Sequence, residues 1–179
     1  MANIGPITPF GVLEPSAHFP HSAISQKFTQ LNAALAHYID CERDLEHVDC
    51  FDHAFMNWAR DAEAARRKTL LLCGDIIRAA ICRPEDRPLQ RLALLTRALI
   101  ESETSERFTT LHRALDLHAD LFSCPGTTPT LARARHMLNR CHELLDAMAE
   151  LGEFRDPAEI SWAARSDAEP DALIATCAH

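Results

Sequence analysis

Glycine is scarce in this chain, five in 179 residues, and each one stands alone. Isolated glycines argue against the phosphate-cradling loops of nucleotide-binding folds, which need several within one short turn. Lysine is scarcer still: two, against sixteen arginines. That skew reads as the codon usage of a GC-rich genome and not as arginine chemistry. The seven cysteines are odd in number and contain no Cys-x-x-Cys pair. Neither a disulfide framework nor covalent c-type haem attachment fits such a set. Eleven aromatic residues are few for a haem pocket, and the segment 129–152 carries no Glu-x-x-His, which argues against a ferritin-like di-iron site. No apolar run approaches the roughly 20 residues of a membrane span. The first 20 residues lack the basic start and continuous apolar stretch of a signal peptide. A reducing cytoplasm is therefore the expected compartment. No segment alternates apolar and polar residues between turn signals, so essentially no sheet is expected.

What the chain does have is an ordinary globular balance, 47% apolar and 25% charged, at a length that suits one domain. The net charge of −8 argues against nucleic acid as a partner, because such binding draws on phosphate neutralisation. The charge is uneven, net −5 over residues 1–59, +4 over 60–97 and −7 over 98–179. A basic helix packed between acidic neighbours is the plain reading.

The stretch Phe51 to Arg83 contains no proline. Phe55, Trp58, Ala62, Ala65, Thr69, Leu72 and Ile76 recur at alternating steps of three and four, which aligns them on one helical stripe. The opposite face carries Arg60, Asp61, Glu63, Arg67, Lys68 and Arg78. Beyond Leu70 the apolar surface widens to include Leu71, Ile77 and Ile81. One helix over 51–83, more than about 40 Å long, is expected.

Residues 1–22 hold four prolines among apolar residues such as Ile4, Phe10 and Phe19, and read as an extended arm laid on the bundle or on a second subunit. Ser22 or Ser25 can cap a first helix running to about His47, with the stripe Ile24, Phe28, Leu31, Leu35, Tyr38, Glu42 and Leu45. Glu42 interrupts that stripe and is expected to point outward at the end of the buried region. A third helix follows Pro84–Pro88, lined by Leu89, Leu92, Leu95 and Leu99, and a break is expected at 102–105, where the apolar rhythm changes phase. Ser102 or Thr104 can cap a fourth helix lined by Phe108, Leu111, Leu115, His118 and Phe122. Thr128-Pro129 opens a fifth, with Leu131, Ala134, Leu138, Cys141, Leu145 and Met148 on one stripe and Gly152 at its end. A short sixth helix is expected around 157–165, bringing back Ile160 and Trp162, with a flexible tail over 166–179. The fold class is therefore all-α: an antiparallel bundle of five to six helices over 23–165, preceded by the extended arm.

Five metal-ligand types crowd the first connection: His37, Cys41, His47, Cys50 and His53. Zinc or another transition metal accepts such nitrogen and sulfur donors, although the spacing matches no recognised zinc motif. His118 is a further candidate ligand, and His136 and His142 read as structural. Cys50 and Cys124 fall in turns, where an exposed thiol would be reactive. Phe55 and Trp58 read as core, yet with Leu71, Ile77 and Ile81 they also form a surface wider than one bundle interior needs. Such a helix lies at the centre of its own bundle or is shared with a partner.

The resulting expectation is a non-enzymatic interaction or regulatory protein, a homodimer or homo-oligomer, with no cofactor. The alternative is a small-ligand or metal-binding sensor or enzyme that uses the bundle interior. A third reading is an anionic-partner surface along Arg66, Arg67, Arg78, Arg83, Arg87 and Arg91.

Overall fold

The computed structural model describes residues 21–46, 48 and 53–154. Among them run α1 (Ala23–Glu46), α2 (Phe55–Arg78), α3 (Asp86–Ile100), α4 (Ser105–Leu117), a 3-10 turn (Ala119–Phe122) and α5 (Pro129–Ala149), with no strand. The all-α expectation is met. The arm before residue 21, the sixth helix and the tail lie outside the described residues.

The caps fall where hydroxyls were available. Ser22 Oγ accepts the Ser25 N–H at 3.0 Å, Thr104 Oγ1 that of Arg107 at 3.2 Å and Thr128 Oγ1 that of Leu131 at 3.4 Å. Each supplies an acceptor to an amide the helix itself cannot pair.

The second helix is shorter than its periodicity suggests. It spans about 36 Å at 1.5 Å per residue, because Ala79 turns extended at φ −70° and ψ 143°. Two α3 side chains make that stop stable. Gln90 Nε2 donates to the carbonyls of Ile76, Ile77 and Ala79 at 3.1, 2.9 and 3.1 Å. Asp86 Oδ2 accepts the N–H groups of Cys82 and Arg83, both at 3.0 Å. Backbone groups that another helical turn would have paired are thus satisfied from across the chain. The fourth helix is shorter too: it ends at Leu117, and Phe122 reaches the core from the 3-10 turn. The fifth ends at Ala149, three residues before Gly152.

Consecutive helices alternate in direction. Lys27, near the start of α1, pairs with Asp75, near the end of α2, at 2.8 Å. Arg66 on α2 donates to the carbonyl of Ile100 at the end of α3 at 3.2 Å. Between α4 and α5 His112 meets Asp146 at 3.1 Å, and Phe108, near the start of α4, stacks on Phe154, just beyond the end of α5, with centroids 4.4 Å apart. The odd-numbered helices consequently run the same way. Between α1 and α5 the contacts keep step: His21 with Arg133 at 3.0 Å, Asn32 with the Met137 carbonyl at 2.9 Å, Arg43 with Glu150 at 3.7 Å.

The core lies among α1, α2, α3 and α5, with α4 and the 3-10 turn laid across α3 and α5. The expected α1 stripe is fully buried from Ile24 to Tyr38, and the α5 stripe from Ala134 to Met148. Each fully buried large apolar side chain contributes about 1.5–3 kcal/mol. Glu42, expected to point outward, is instead half-buried where α1 approaches Arg66 and Glu153. That burial, and then the Glu153 charge, raise its pKa; Arg66 opposes them.

Candidate functional site

The histidine and cysteine constellation is described only in part. Cys41 Sγ lies 3.7 Å from His37 Nδ1, one helical turn away on the exposed side of α1. His53 is exposed at the approach to α2. His47 and Cys50 lie outside the described residues. Among the described residues no three His, Cys, Asp or Glu side chains are grouped to hold a metal. Burial first, then Asp44, Asp61 and their acidic neighbours, raise the Cys41 pKa and favour its thiol form.

His118 does not face the core. It is exposed at the C-terminal cap of α4, because the helix ends one residue before it. His136 is exposed, and His142 is half-buried with Nε2 unpaired among the described residues. Burial lowers the His142 pKa, so its ring stays neutral edge-on to Phe122. Cys124 is in a turn, as expected, but 5% exposed; burial raises its pKa, which makes it a poor nucleophile. Cys73 and Cys141 are core residues, their thiols pushed up to about 12 by burial.

The interaction residues divide. Leu71 is 64% exposed, Ile81 46% and Trp58 42%, while Phe55 and Ile77 are half-buried. Trp58 leaves the core although it continues the buried stripe. Along the outer side of α1 and α2 two adjoining cavities, each about 440 Å³, form one groove. His37 and Lys68 line both; Trp58 and Asp61 lie towards one end, Leu71 and Asp75 towards the other. The groove floor is alanine: Ala33 and Ala34 on α1, Ala64 and Ala65 on α2. Small side chains there let another element approach the backbones closely.

The arginines form no continuous free stripe. Arg67 pairs with Glu63 at 3.5 Å and Arg78 with Asp75 at 2.9 Å. Arg66 is occupied at Ile100, and Arg91 donates to the Leu121 carbonyl at 3.3 Å. Arg87 is exposed.

A smaller cavity, about 210 Å³, lies at the end of the bundle where α1, α3 and α5 begin. Ser25 lines it from α1 and His21 and Ser22 from just before it, Arg83 and Glu85 from the approach to α3, and Thr130 and Arg133 from α5. Sequence reasoning placed no site there, since its residues come from three separate segments. No protein-family model matches the chain, and no match is found among curated proteins or solved structures.

Proposed function

We propose that this is a non-enzymatic helical interaction protein that pairs with a second copy of itself through the α1–α2 groove. The observation that carries the reading is the arrangement of residues on α2 about the point between Ala64 and Ala65. Trp58 and Leu71 lie equally far from that point on either side, and so do Asp61 and Lys68. A two-fold axis there sets α2 antiparallel to its copy, with Trp58 against the partner's Leu71 and Asp61 against the partner's Lys68. An isologous interface requires this self-complementarity. Asp61 and Lys68 are both exposed, and neither has an ion-pair partner in its own chain among the described residues. Two exposed apolar anchors beside an alanine-floored groove supply the buried centre that such interfaces concentrate their energy in.

Sedimentation equilibrium tests the pairing. Wild-type protein is expected as a dimer, and Trp58→Ala should weaken it by about 2 kcal/mol or more, roughly 30-fold in dissociation constant. Asp61→Lys and Lys68→Asp should each weaken the dimer, and the double exchange should restore it. A wild-type monomer at about 100 μM, weaker than any Kd near −5.5 kcal/mol, would sink the proposal. So would a double exchange no better than the single ones.

A further inference from the structure

We infer that the cavity where α1, α3 and α5 begin binds a hydrogen-phosphate group, either free phosphate or the end of a small phosphomonoester. Directional alternation brings three helix N-termini together there. Each carries the equivalent of about half a positive charge. Arg83 and Arg133 line the same space, with His21 beside Arg133 at 3.0 Å.

The second, independent observation is Ser25. It is 8% exposed and lines the cavity, yet its hydroxyl has no hydrogen-bond partner among the described residues. That hydroxyl is open to the cavity it lines, so water or a ligand there is its available partner. Direct contact falls to side chains more than to backbone amides here, because Pro88 and Pro129 remove donors from the first turns of α3 and α5.

Two carboxylates adjoin these cations, and they decide the ligand class. Asp86 is fully buried and its oxygens are occupied by Ser22 Oγ and by the amides of Cys82 and Arg83. Glu85 is different. Its side chain is 10% exposed, and its nearest cationic atom, Arg83 Nη1, is 3.9 Å away, beyond hydrogen-bonding distance. An anion seated among Arg83, Arg133 and Ser25 therefore meets one acceptor as well as several donors. Hydrogen phosphate brings an O–H that Glu85 can accept; sulfate at neutral pH has none and sets two anionic oxygens face to face. A volume of about 210 Å³ lies below the roughly 300–1,000 Å³ of sites for larger organic ligands, which suits one small oxyanion.

Isothermal titration of the full chain at constant ionic strength, with sodium phosphate, sodium sulfate and glycerol 3-phosphate, tests the assignment. Phosphate is expected to saturate one site per chain, with sulfate at least about tenfold weaker because its charged hydrogen bond is missing. Arg133→Gln, on an exposed residue, should lower phosphate affinity about tenfold, and Ser25→Ala should lower it less, with helical circular dichroism unchanged. Glu85→Gln should bring sulfate to within about threefold of phosphate, since the neutral amide no longer repels it. Binding of glycerol 3-phosphate assigns the monoester, and its exclusion assigns the free ion; both support the site. The inference is overturned by no saturable heat up to about 10 mM phosphate, by equal phosphate and sulfate affinities in wild-type protein, or by binding indifferent to Arg133→Gln.

Discussion

Asp86 offers a sharp test of what joins the ends of α1, α2 and α3. Its carboxylate is wholly buried. Oδ2 accepts two backbone amides, Cys82 and Arg83, at 3.0 Å, while Oδ1 accepts the Ser22 hydroxyl at 2.5 Å. Replacement by alanine strands three donors. A stranded buried donor costs about 1–3 kcal/mol, and the lower half of that range applies because Cys82 is exposed and Arg83 half-buried, within reach of water. Losing a negative charge from the first turn of α3 costs about 0.3–1 kcal/mol more. The sum is about 3–7 kcal/mol, or a fall in Tm of roughly 6–28 °C for a chain of this size. Asparagine is expected to behave very differently. Its Oδ1 can take the place of Oδ2 and accept both amides, while Nδ2 donates to Ser22 Oγ and merely reverses that bond. A loss of about 1 kcal/mol is expected, from exchanging charged for neutral hydrogen bonds. Urea unfolding followed by circular dichroism reads both variants as shifts in midpoint at constant slope. Equal destabilisation by Asp86→Asn and Asp86→Ala would refute the argument, because it would mean that charge and not donor pairing carries the effect. An alanine variant within about 1 kcal/mol of wild type would refute it as well.

Two further substitutions probe individual positions. Glu42→Gln should raise the urea midpoint at pH 7. Burial and Glu153 raise the Glu42 pKa above its ordinary 4.5, so its favourable contribution is complete below that value and is lost as pH rises through the folded pKa. The advantage of glutamine should therefore disappear near pH 4, and an advantage independent of pH would contradict this. Gly126→Ala should destabilise by about 1–3 kcal/mol. Gly126 has φ +125°, and an added Cβ would lie 2.5 Å from Leu131 Cδ1; a thermal melt indistinguishable from wild type would show that the 123–128 connection yields easily.

Most of the helical plan is legible from periodicity and turn chemistry. The break at 102–105 follows from a change of phase between Leu99 and Phe108, and Thr128-Pro129 marks the start of α5 directly. The end of α2 is not legible in this way. Apolar spacing runs on to Ile81, and what stops the helix is Asp86 and Gln90, which reach back from α3. Trp58 and His118 are misjudged for related reasons. A position on a stripe is buried only if a facing element extends that far; His118 lies one residue past its helix. The cavity at the start of α1, α3 and α5 has a signal that could have been used. Short connections force neighbouring helices to alternate, so the Ser22, Arg83 and Thr130 regions must meet at one end.

The odd number of alternating helices among the described residues also fixes how the bundle bears load. The described chain comes in at His21 on one end of the bundle and leaves at Phe154 on the other, with α1 and α5 side by side and co-directional. Tension applied between those two points slides α1 past α5 lengthwise. The links Asn32–Met137, Arg43–Glu150 and Glu46–Gly152 are then strained together and not one after another. Pulled along its axis, this domain resists in shear; pulled across it, α4 with its two buried side chains, Phe108 and Leu115, peels first.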